Sequence, residues 1–474
     1  MRRSRRAVGS AVLAGALVLC ASPAPAFAHG DRYEVSRTRT VSGPTPFPAG
    51  CPGALHDAGR VPGAELEPSV TTNPADRGNI VATWQQDPNP GGRTDLIGFS
   101  RDGGRTWRRS AIPGLTRCTG GTADAASDPW LSAGVDGTVY FLGLTLDLSG
   151  SLEDPPSTLV ASHSRDGGRT WSTPSTVAPV ELGNETDAIT ASPTRAGHAY
   201  AAWANWNHSY TPPMTNVLRF SRTTDRGATW SPSVVVDQAD PVSIDLSPRV
   251  VVVPDGTLLM AFARVDITTG IGSLHAARSL DEGRTWQPAV QVGTQQTQKF
   301  FDPETGDELP QPGFISAAGS RDGTLYLAFE RDSSPTAGSI VVARSRDGGR
   351  TWTALPVSGI SAFAFHPALA VDAAGVVGLT WYDLRNDRPG DAALTADAWF
   401  ASSTDRGTSW RQAHLAGPLD LRSAPFRANG HQLGEYQGLA ALHGGRGFAA
   451  IFTVPGPLAR NGPTDIRFAR VAPD

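Results

Sequence analysis

Short apolar segments, each opened by a glycine, recur along the chain and predict one repeated strand. The seven copies are Gly78–Trp84, Gly137–Gly143, Gly197–Trp203, Gly256–Phe262, Gly323–Phe329, Gly375–Trp381 and Gly445–Ile451. Another short strand-like segment precedes each copy and a third follows it, as Pro248–Val253 and Ile340–Arg344 do. No long apolar stripe of helical period interrupts the pattern, so we expect few helices. A unit of short strands repeated at a fixed period indicates a ring or array of small sheets.

A polar hairpin joins the third and fourth strands of six repeats. Its pattern is Ser/Thr-x-Asp-x-Gly-x-Thr/Ser-Trp, and the copies are residues 100–107, 164–171, 223–230, 279–286, 345–352 and 403–410. The aspartate can accept hydrogen bonds from N–H groups of its own turn. The glycine tolerates a positive φ, and the tryptophan offers a large apolar surface. We therefore interpret six aspartates as structural: Asp102, Asp166, Asp225, Asp281, Asp347 and Asp405.

The chain has seven glycine-led strands but six hairpins, and this difference predicts how the ring of repeats is closed. The seventh repeat stops after its third strand, near Asp474, whereas the alternating segment Tyr33–Val41 has no other place. We expect this segment to be the outer strand of the last repeat. The result is an all-β fold, a β-propeller of seven four-stranded blades. The domain organisation is then a leader at 1–28, an N-terminal segment with the closing strand at 29–66, and one propeller domain at 67–474.

The N-terminus predicts export. Four arginines within the first six residues precede the apolar stretch Ala11–Ala21, and a small-x-small cleavage site ends at Ala28. We expect cleavage near Ala28 and a secreted protein. Cleavage removes four arginines and no acidic residue, which shifts the formal net charge from −4 to −8. This negative charge argues against nucleic acid or an anionic membrane surface as a partner. No later stretch is long and apolar enough to span a bilayer. We expect the protein to be a monomer.

Two cysteines, Cys51 and Cys118, remain in the mature chain. Each lies just before the first strand of its repeat, and the two repeats are neighbours. In an exported protein this arrangement favours a disulfide, with two buried free thiols as the alternative. No clustered His or Cys spacing indicates a metal site, and we expect no cofactor.

The topology gathers candidate functional residues on one face of the ring. The start of each first strand and the end of each second strand lie opposite the hairpins, at the mouth of the central channel, where ligand sites tend to form. The candidates at these positions are Asp128, Asp187, Arg249, Arg264, Glu330, Asp383, Arg385, Asn386, Glu435 and Tyr436. A solvated channel mouth would also carry polar residues. Two long loops on the same face, 294–312 and 417–433, carry aromatic residues that can stack on a sugar.

The hairpin resembles the Asp-box, or bacterial neuraminidase repeat, and its six copies resemble the sialidase-like propeller superfamily. The resemblance implies glycoside hydrolase activity or a non-hydrolytic relative, on six blades in sialidases against the seven predicted here. Sialidases carry an arginine triad for the substrate carboxylate, an aspartate acid/base, and a tyrosine nucleophile assisted by a glutamate. The stretch 434–439, Gly-Glu-Tyr-Gln-Gly-Leu, is similar in placement to the late tyrosine of sialidases. Where sialidases have an early Phe/Tyr-Arg-Ile-Pro motif, this chain has Leu66–Val70.

Two functions follow from these observations. The first is an exported, exo-acting, sialidase-like glycoside hydrolase with its site at the channel mouth. Its substrate would be held by Arg249, Arg264, Arg385, Asn386 and Asp187. The acid/base would be Asp383 or Asp128, and the nucleophile pair Tyr436 with Glu435 or Glu330. The second is a non-catalytic propeller that binds cell-wall glycan or protein; the charged mouth favours the first function, and the missing early arginine motif favours the second.

Overall fold

Antiparallel sheets of four strands stand side by side around a central channel in the computed structural model. The structure describes residues 33–474 except 48–49, 52–58, 90, 151, 153–154, 182, 207–214, 297–300, 303, 310–313, 335–336, 358, 361–362 and 428–429. The predicted leader at 1–28 lies outside the described residues. The prediction of an all-β propeller with seven four-stranded blades is confirmed.

The first three blades follow two short N-terminal strands, β1 (Tyr33–Val35) and β2 (Arg39–Thr40). Blade one contains β3 (Glu65–Thr72), β4 (Ile80–Gln86), β5 (Thr94–Ser100) and β6 (Arg108–Ala111). Blade two contains β7 (Ala125–Ala133), β8 (Val139–Leu146), β9 (Ser157–Ser164) and β10 (Ser175–Glu181). Blade three contains β11 (Asn184–Ala191), β12 (Ala199–Trp206), β13 (Asn216–Thr223) and β14 (Val234–Gln238).

The next three blades repeat the same order from inner to outer strand. Blade four contains β15 (Ser243–Val252), β16 (Leu258–Asp266), β17 (Ile271–Ser279) and β18 (Val290–Gln296). Blade five contains β19 (Ser316–Gly319), β20 (Leu325–Ser334), β21 (Ala337–Ser345) and β22 (Thr353–Pro356). Blade six contains β23 (Ala364–Val371), β24 (Val377–Asp383), β25 (Thr395–Ser403) and β26 (Arg411–Asp420).

The seventh blade closes the ring with both ends of the chain. A small hairpin, β27 (Phe426–Arg427) and β28 (Gly430–His431), precedes its strands β29 (Gly438–Ala441), β30 (Phe448–Pro455) and β31 (Thr464–Pro473). β1 pairs antiparallel with the end of β31, from Tyr33 opposite Pro473 to Val35 opposite Val471, and β2 pairs with its middle. The predicted closing strand is therefore present as two short pieces.

Helices are few, as expected. The described residues contain 3-10 turns at Arg117–Thr119, Leu421–Ser423 and Gly456–Leu458. Within the same part of the chain, no helix is long and apolar enough to cross a membrane.

The apolar core lies between neighbouring blades, and the Asp-box hairpins contribute to it. The ring of Trp107 in blade one packs edge-on against Phe468 of blade seven, with ring centroids 5.2 Å apart. Gly104 of the same hairpin has φ +88°, and a Cβ there would lie 2.1 Å from the Phe468 ring. The Asp-box glycine is therefore required twice, by its left-handed backbone and by the aromatic ring pressed against it.

Each Asp-box carboxylate organises its own turn. In the fifth copy, Asp347 Oδ1 accepts hydrogen bonds from the N–H groups of Arg350 and Thr351 at 3.0 and 2.9 Å. Its Oδ2 accepts one from the Thr351 hydroxyl at 2.6 Å. These bonds hold the pKa of Asp347 below its ordinary value, although partial burial opposes them. These bonds support a structural role for the aspartate, which stays a prediction for the six copies.

The two cysteines meet across the first two blades. Cys51 and Cys118 form a disulfide, with Cα atoms 5.1 Å apart. The Arg93 side chain lies beside Cys51 and forms an ion pair with Asp87, with 3.2 Å between Nε and Oδ2. The bond fastens the segment before β3 to the loop before β7, close to the channel mouth.

Shortening the chain tests the closing strands. A chain that begins at residue 42 lacks β1 and β2, so the outer edge of β31 has no partner strand. We expect its melting temperature to fall by on the order of several degrees relative to a chain that begins at residue 29. Equal melting temperatures in differential scanning calorimetry would show that the N-terminal strands do not hold the ring.

The hairpin acid can be tested without touching the channel. Asp347→Ala leaves two backbone N–H groups and the hydroxyls of Ser345 and Thr351 without their acceptor, so we expect a loss of about 1–3 kcal/mol in unfolding free energy. Asp347→Asn keeps the Oδ1 acceptor and serves as the matched control with a smaller loss. Urea unfolding of both variants measures the difference; an alanine variant as stable as the wild type would contradict the structural assignment.

Candidate functional site

The inner strands of all seven blades surround a cavity of about 250 Å³ in the channel. Residues of β3, β7, β11, β15, β19, β23 and β29, or residues directly before them, line it. Among the lining side chains with polar or aromatic groups are Trp130, Arg249, Phe314, His366, Glu435 and Tyr436. Three of the predicted site residues, Arg249, Glu435 and Tyr436, therefore share one cavity.

Five inner strands contain a β-bulge at equivalent positions near this end of the channel. Each bulge changes the direction in which the neighbouring side chains point. The bulged residues have positive φ values between 50° and 57°, and they are Glu67, Asp128, Thr186, Ser247 and His366. The pairing register of each strand shifts at that point, as between Ser127 and Trp130 in β7. Left-handed backbone at non-glycine residues is uncommon and strained, and it concentrates at functional sites. The channel mouth is thus a ring of strained positions.

An aromatic and cationic stack forms one wall of the cavity. The rings of Trp130 and Tyr436 are stacked with centroids 4.7 Å apart. The Arg249 guanidinium carbon lies 4.1 Å from the Trp130 ring centroid. The Tyr436 hydroxyl donates to the Pro129 carbonyl at 3.3 Å. Residues from blades two, four and seven meet here, because a single indole ring contacts both partners.

Buried carboxyl groups lie next to this stack. Asp95 and Asp187 are fully buried, and Glu67 and Asp128 are nearly so. Burial raises the pKa of Asp187 well above its ordinary value, and the charge of Asp128 raises it further. Burial and the charge of Asp128 likewise raise the pKa of Asp95. Two of these groups therefore hold protons at a pH where exposed aspartates have lost theirs.

The charges around Tyr436 and Arg249 affect both groups. Burial raises the pKa of the Tyr436 phenol well above its usual value, and the charges of all four neighbouring acids raise it further. Burial lowers the pKa of Arg249 to about 10, and the nearby Tyr436, Asp187 and Asp128 oppose this shift only when they are ionised. Tyr436 is consequently a neutral phenol, and Arg249 remains charged at neutral pH.

Several polar atoms of the site lack a partner in the described part of the chain. Neither carboxyl oxygen of Asp187 makes a hydrogen bond, and neither Nε nor Nη2 of Arg249 does. Arg249 Nη1 donates to the Pro248 carbonyl at 2.9 Å. Buried polar groups are nearly always paired, so these atoms are candidates for hydrogen bonds to a bound ligand.

A short hydrogen-bonded series fixes one of the acids. Gln85 donates from Nε2 to the Ser127 hydroxyl at 2.8 Å, and that hydroxyl donates to Asp128 Oδ1 at 2.8 Å. Asp95 stands opposite Gln85 in the pairing of β4 with β5. Gln85 of blade one therefore helps to hold the Asp128 carboxylate of blade two in position, through the Ser127 hydroxyl.

The blade-six residues predicted for the site lie elsewhere. Asp383 binds the Arg385 guanidinium through both oxygens, with contacts of 2.6 to 2.9 Å, and the guanidinium carbon lies 4.0 Å from the Trp399 ring. Asn386 donates to Asp397 at 2.8 Å. The prediction that these residues join Tyr436 is wrong. Asp383 ends the second strand, β24, one strand farther from the axis, and Arg385 and Asn386 follow it. Beyond the Asp383–Arg385 pair, their side chains contact Trp399 and Asp397 of β25 and Gln412 of β26.

The predicted arginine triad does not form either. Arg264 binds Asp245 and Asp237 at 2.7 and 2.6 Å, so its charge is neutralised inside blades three and four. Arg249 lines the cavity, whereas Arg264 is not among its lining residues. Glu330 accepts the backbone N–H of His366 at 2.6 Å, a structural contact between blades five and six.

Two important residues were not predicted. Trp130 occupies the position in β7 that Arg249 occupies in β15, since both follow a bulged residue and a proline. Aligning Asp128-Pro129-Trp130 with Ser247-Pro248-Arg249 would have found it. Asp95 lies on a third strand and has no distinguishing signal in the sequence.

The two long loops join beside the cavity. Arg422 binds Asp302 through Nε at 2.7 Å and Nη2 at 2.9 Å, and this contact lowers the pKa of Asp302 to about 2. Glu308 forms a β-bridge with Gly430. Part of the first loop, including the predicted Lys299 and Phe300, lies outside the described residues. Within the described ranges, no group of three or more His, Cys, Asp or Glu side chains is arranged to hold a metal ion.

Comparison with known proteins supports the repeat and the fold. Residues 216–433 match the family model of the BNR repeat-like domain, just under half of the chain. That region contains the Asp-boxes that begin at Thr223, Ser279, Ser345 and Ser403. The resemblance of the hairpins to the BNR repeat is thereby confirmed. None of the curated proteins searched matches this chain.

Solved structures of similar shape include glycosidases. A GH93 α-L-arabinofuranosidase of Fusarium graminearum, in complex with arabinobiose, is 14% identical with a TM-score of 0.49, covering 93% of this chain and 98% of its own. A Penicillium chrysogenum α-L-arabinanase with arabinobiose is 14% identical with a TM-score of 0.47, over 92% and 98% of the two chains. A Hadza microbial sialidase is 16% identical with a TM-score of 0.44, over 83% and 76%.

The protonated acid at the site predicts a pH-dependent effect of one substitution. The pKa of Asp187 is higher in the folded protein than near 4 in the unfolded chain. Its ionisation therefore opposes folding, and this cost grows as the pH rises from the unfolded pKa through the folded one. We expect Asp187→Asn to be more stable than the wild type at pH 8, with a smaller difference at pH 4.

Urea unfolding at several pH values measures this difference. Asp266→Asn, which alters an exposed acid at the end of β16, is the matched control and should show no such trend. A constant stability difference between Asp187→Asn and the wild type from pH 4 to pH 8 would contradict a raised pKa.

Proposed function

We propose that the protein is an exported glycoside hydrolase whose reaction takes place in the channel beside Trp130, Arg249 and Asp187. The observation that carries this proposal is the pair of carboxyls from neighbouring blades, Asp128 and Asp187, whose proximity helps to keep Asp187 protonated. In glycosidase acid/base pairs, the surroundings typically give two neighbouring carboxyl groups different pKa values, so that one is protonated and the other ionised. The BNR repeat and the propeller fold are consistent with this class of protein.

Each residue then has a stated role. Asp187 is the general acid, which donates its proton to the oxygen of the glycosidic bond as that bond breaks. Asp128, held by the Ser127 hydroxyl, is the ionised partner that stabilises positive charge on the sugar or activates its attacker. Arg249 donates from Nε and Nη2 to sugar oxygens, and the exposed part of the Trp130 side chain contacts the sugar.

This assignment replaces a tyrosine nucleophile with a carboxyl pair. The Tyr436 hydroxyl donates to the Pro129 carbonyl, and four carboxyl groups disfavour its ionisation. A phenol becomes a nucleophile only when a base removes its proton. Glu435 lines the same cavity and is half-buried, so it is the second candidate for the ionised partner.

One observation favours a second candidate function, a propeller that binds glycan without cleaving it. Asp187 and Asp95 have no exposed surface, whereas a general acid must reach its substrate within hydrogen-bond distance. In that case the unpartnered atoms of Arg249 and Asp187 would recognise a bound sugar, and no bond would break.

Kinetics of three variants separate these mechanisms. Purified mature protein is screened on 4-nitrophenyl glycosides of both anomeric forms and on an α-sialoside. On any cleaved substrate, we expect Asp187→Asn to lower kcat by about 10²- to 10⁴-fold and Tyr436→Phe to lower it by less than about 10-fold.

The reverse result, an inactive Tyr436→Phe beside an active Asp187→Asn, would restore the tyrosine mechanism. Binding without cleavage of any glycoside would support the second function. Thermal unfolding of each variant confirms that an inactive protein is folded.

Export is part of the proposal and rests on the leader sequence. The Cys51–Cys118 disulfide is the kind of bond that persists in oxidising compartments. Mass spectrometry of the secreted protein should give an N-terminus at His29. An intact N-terminus on protein retained inside the cell would contradict export.

A further inference from the structure

We infer that the protein has a second binding site, at the Asp-box end of the central channel, which takes a small amphipathic anion: a carboxylate or phosphate group attached to an apolar body. The site lies at the other end of the channel from the cavity beside Trp130 and Arg249. The inference goes beyond the proposed function, because it requires no glycosidic bond to be cleaved.

A cavity of about 630 Å³ lies at this end of the channel, and Arg77, Arg321 and Val135 are among its lining residues. We call it the far cavity. Each of the seven blades contributes to it, from the end of the inner strand or from the turn that joins the first strand to the second. In blade four, Val250 lines the first cavity and Val252 lines the far cavity. A volume of this size is typical of a ligand pocket.

The basic side chains that the structure describes around the far cavity lie on one side of it. Arg321 comes from blade five, His443 from blade seven and Arg77 from blade one. The Arg77 guanidinium lies against the turn of blade seven, since a Cβ at Gly444 would overlap it. Within the described part of the chain, neither Arg77 nor Arg321 forms a hydrogen bond or an ion pair. Both guanidiniums are therefore available to an anion.

Acids on the same turns do not neutralise these two arginines. Asp76 lies 3.9 Å from Arg101, and Asp322 lies 3.2 Å from Arg406. Both of these partners belong to Asp-boxes, farther from the channel axis than the turns that line the cavity. Neither Asp76 nor Asp322 is among the residues that line the far cavity. The Asp-boxes thus bind the acids on the outer side and leave the basic groups on the channel side.

One acid does line the far cavity, and its oxygens already have partners. Asp372 of blade six is buried. Its Oδ1 accepts hydrogen bonds from the N–H groups of Ala374 and Val376 at 2.9 and 3.0 Å. Its Oδ2 accepts one from the Tyr33 hydroxyl at 3.1 Å and one from the Gly447 N–H at 3.3 Å. Four donors of the protein stabilise this carboxylate, so it does not depend on the lining arginines.

The opposite side of the far cavity is apolar. Apart from Thr194, the described lining residues of blades two, three and four have apolar side chains: Ala133, Val135, Pro193, Val252, Val253 and Pro254. Val135 is 41% exposed, so apolar surface on this side faces water. Covering such surface with an apolar group stabilises a complex.

The two sides together determine the class of ligand. A small polar anion would contact the arginines and leave the apolar side uncovered. An apolar molecule without charge would leave the guanidiniums unpaired, and a cationic one would meet like charge. Arginine binds carboxylates and phosphates through paired N–H donors, so either group on an apolar body satisfies both sides.

Matched ligands test the inference by direct binding to the mature chain. Isothermal titration calorimetry compares 4-phenylbutyrate and 4-phenylbutyl phosphate with 4-phenylbutanol, 4-phenylbutylamine, acetate and inorganic phosphate. We expect at least one of the two amphipathic anions to bind at least about 10-fold more tightly than the alcohol, the amine and the two small ions. The tighter of the two shows whether the recognised group is a carboxylate or a phosphate.

Substitutions locate the site. Arg77→Gln combined with Arg321→Gln removes both lining charges, and we expect the affinity for the better anion to fall by at least about 10-fold. Arg169→Gln removes one such charge from an exposed position in the second Asp-box, which does not line the far cavity, and should leave that affinity unchanged. Val135→Asp places an acid on the apolar side and should shift the preference from the anion toward the amine.

Two results would overturn the inference. One is equal or weaker binding of both amphipathic anions relative to the alcohol or the amine. The other is undiminished anion binding by the double arginine variant, which would place the anion elsewhere, as beside Arg249. Differential scanning calorimetry shows whether each variant is folded, and if the double variant is not, an unchanged preference in Val135→Asp overturns the inference. Cleavage of a glycoside by the same protein bears on the proposed function alone.

Discussion

Backbone pairing of the N-terminal strands with β31 is the constraint on which the rest of the structure depends. β31 carries hydrogen bonds to β30 on one side and to β1 and β2 on the other. The hydroxyl of Tyr33 also donates to Asp372 at 3.1 Å, which ties β1 to blade six. Closure of the ring removes the exposed edge of β31 and sets the diameter at which seven inner strands converge.

The site exists because of that convergence. Trp130, Arg249 and Tyr436 come from blades two, four and seven, and no single blade could bring them together. The five bulges then turn side chains toward one end of the channel. Burial at this point favours the neutral form of each ionisable group. It keeps protons on Asp95 and Asp187, and it lowers the pKa of Arg249, which still remains charged at neutral pH.

The repeats made the fold readable from the sequence, because glycine-led strands and Asp-boxes are local signals with a fixed period. The count of seven strands against six hairpins also indicated the closing strand at Tyr33–Val41. The site was only partly predictable. Arg249, Glu435 and Tyr436 were found because they begin inner strands, and Asp128 and Asp187 because they lie beside them. Asp383, Arg385 and Arg264 were misplaced. The position of a residue in its repeat predicts at which end of the blade it lies, but it does not predict with which side chain the residue forms an ion pair.

The position of a bound sugar in a crystal tests the central claim most directly. Crystals of the mature protein soaked with an oligosaccharide should show a sugar ring against the exposed part of Trp130, with hydroxyls within hydrogen-bond distance of Arg249 Nη2 and Asp187. A sugar bound instead beside Arg385 and Trp399 of blade six, with the channel empty, would contradict the assignment of the site.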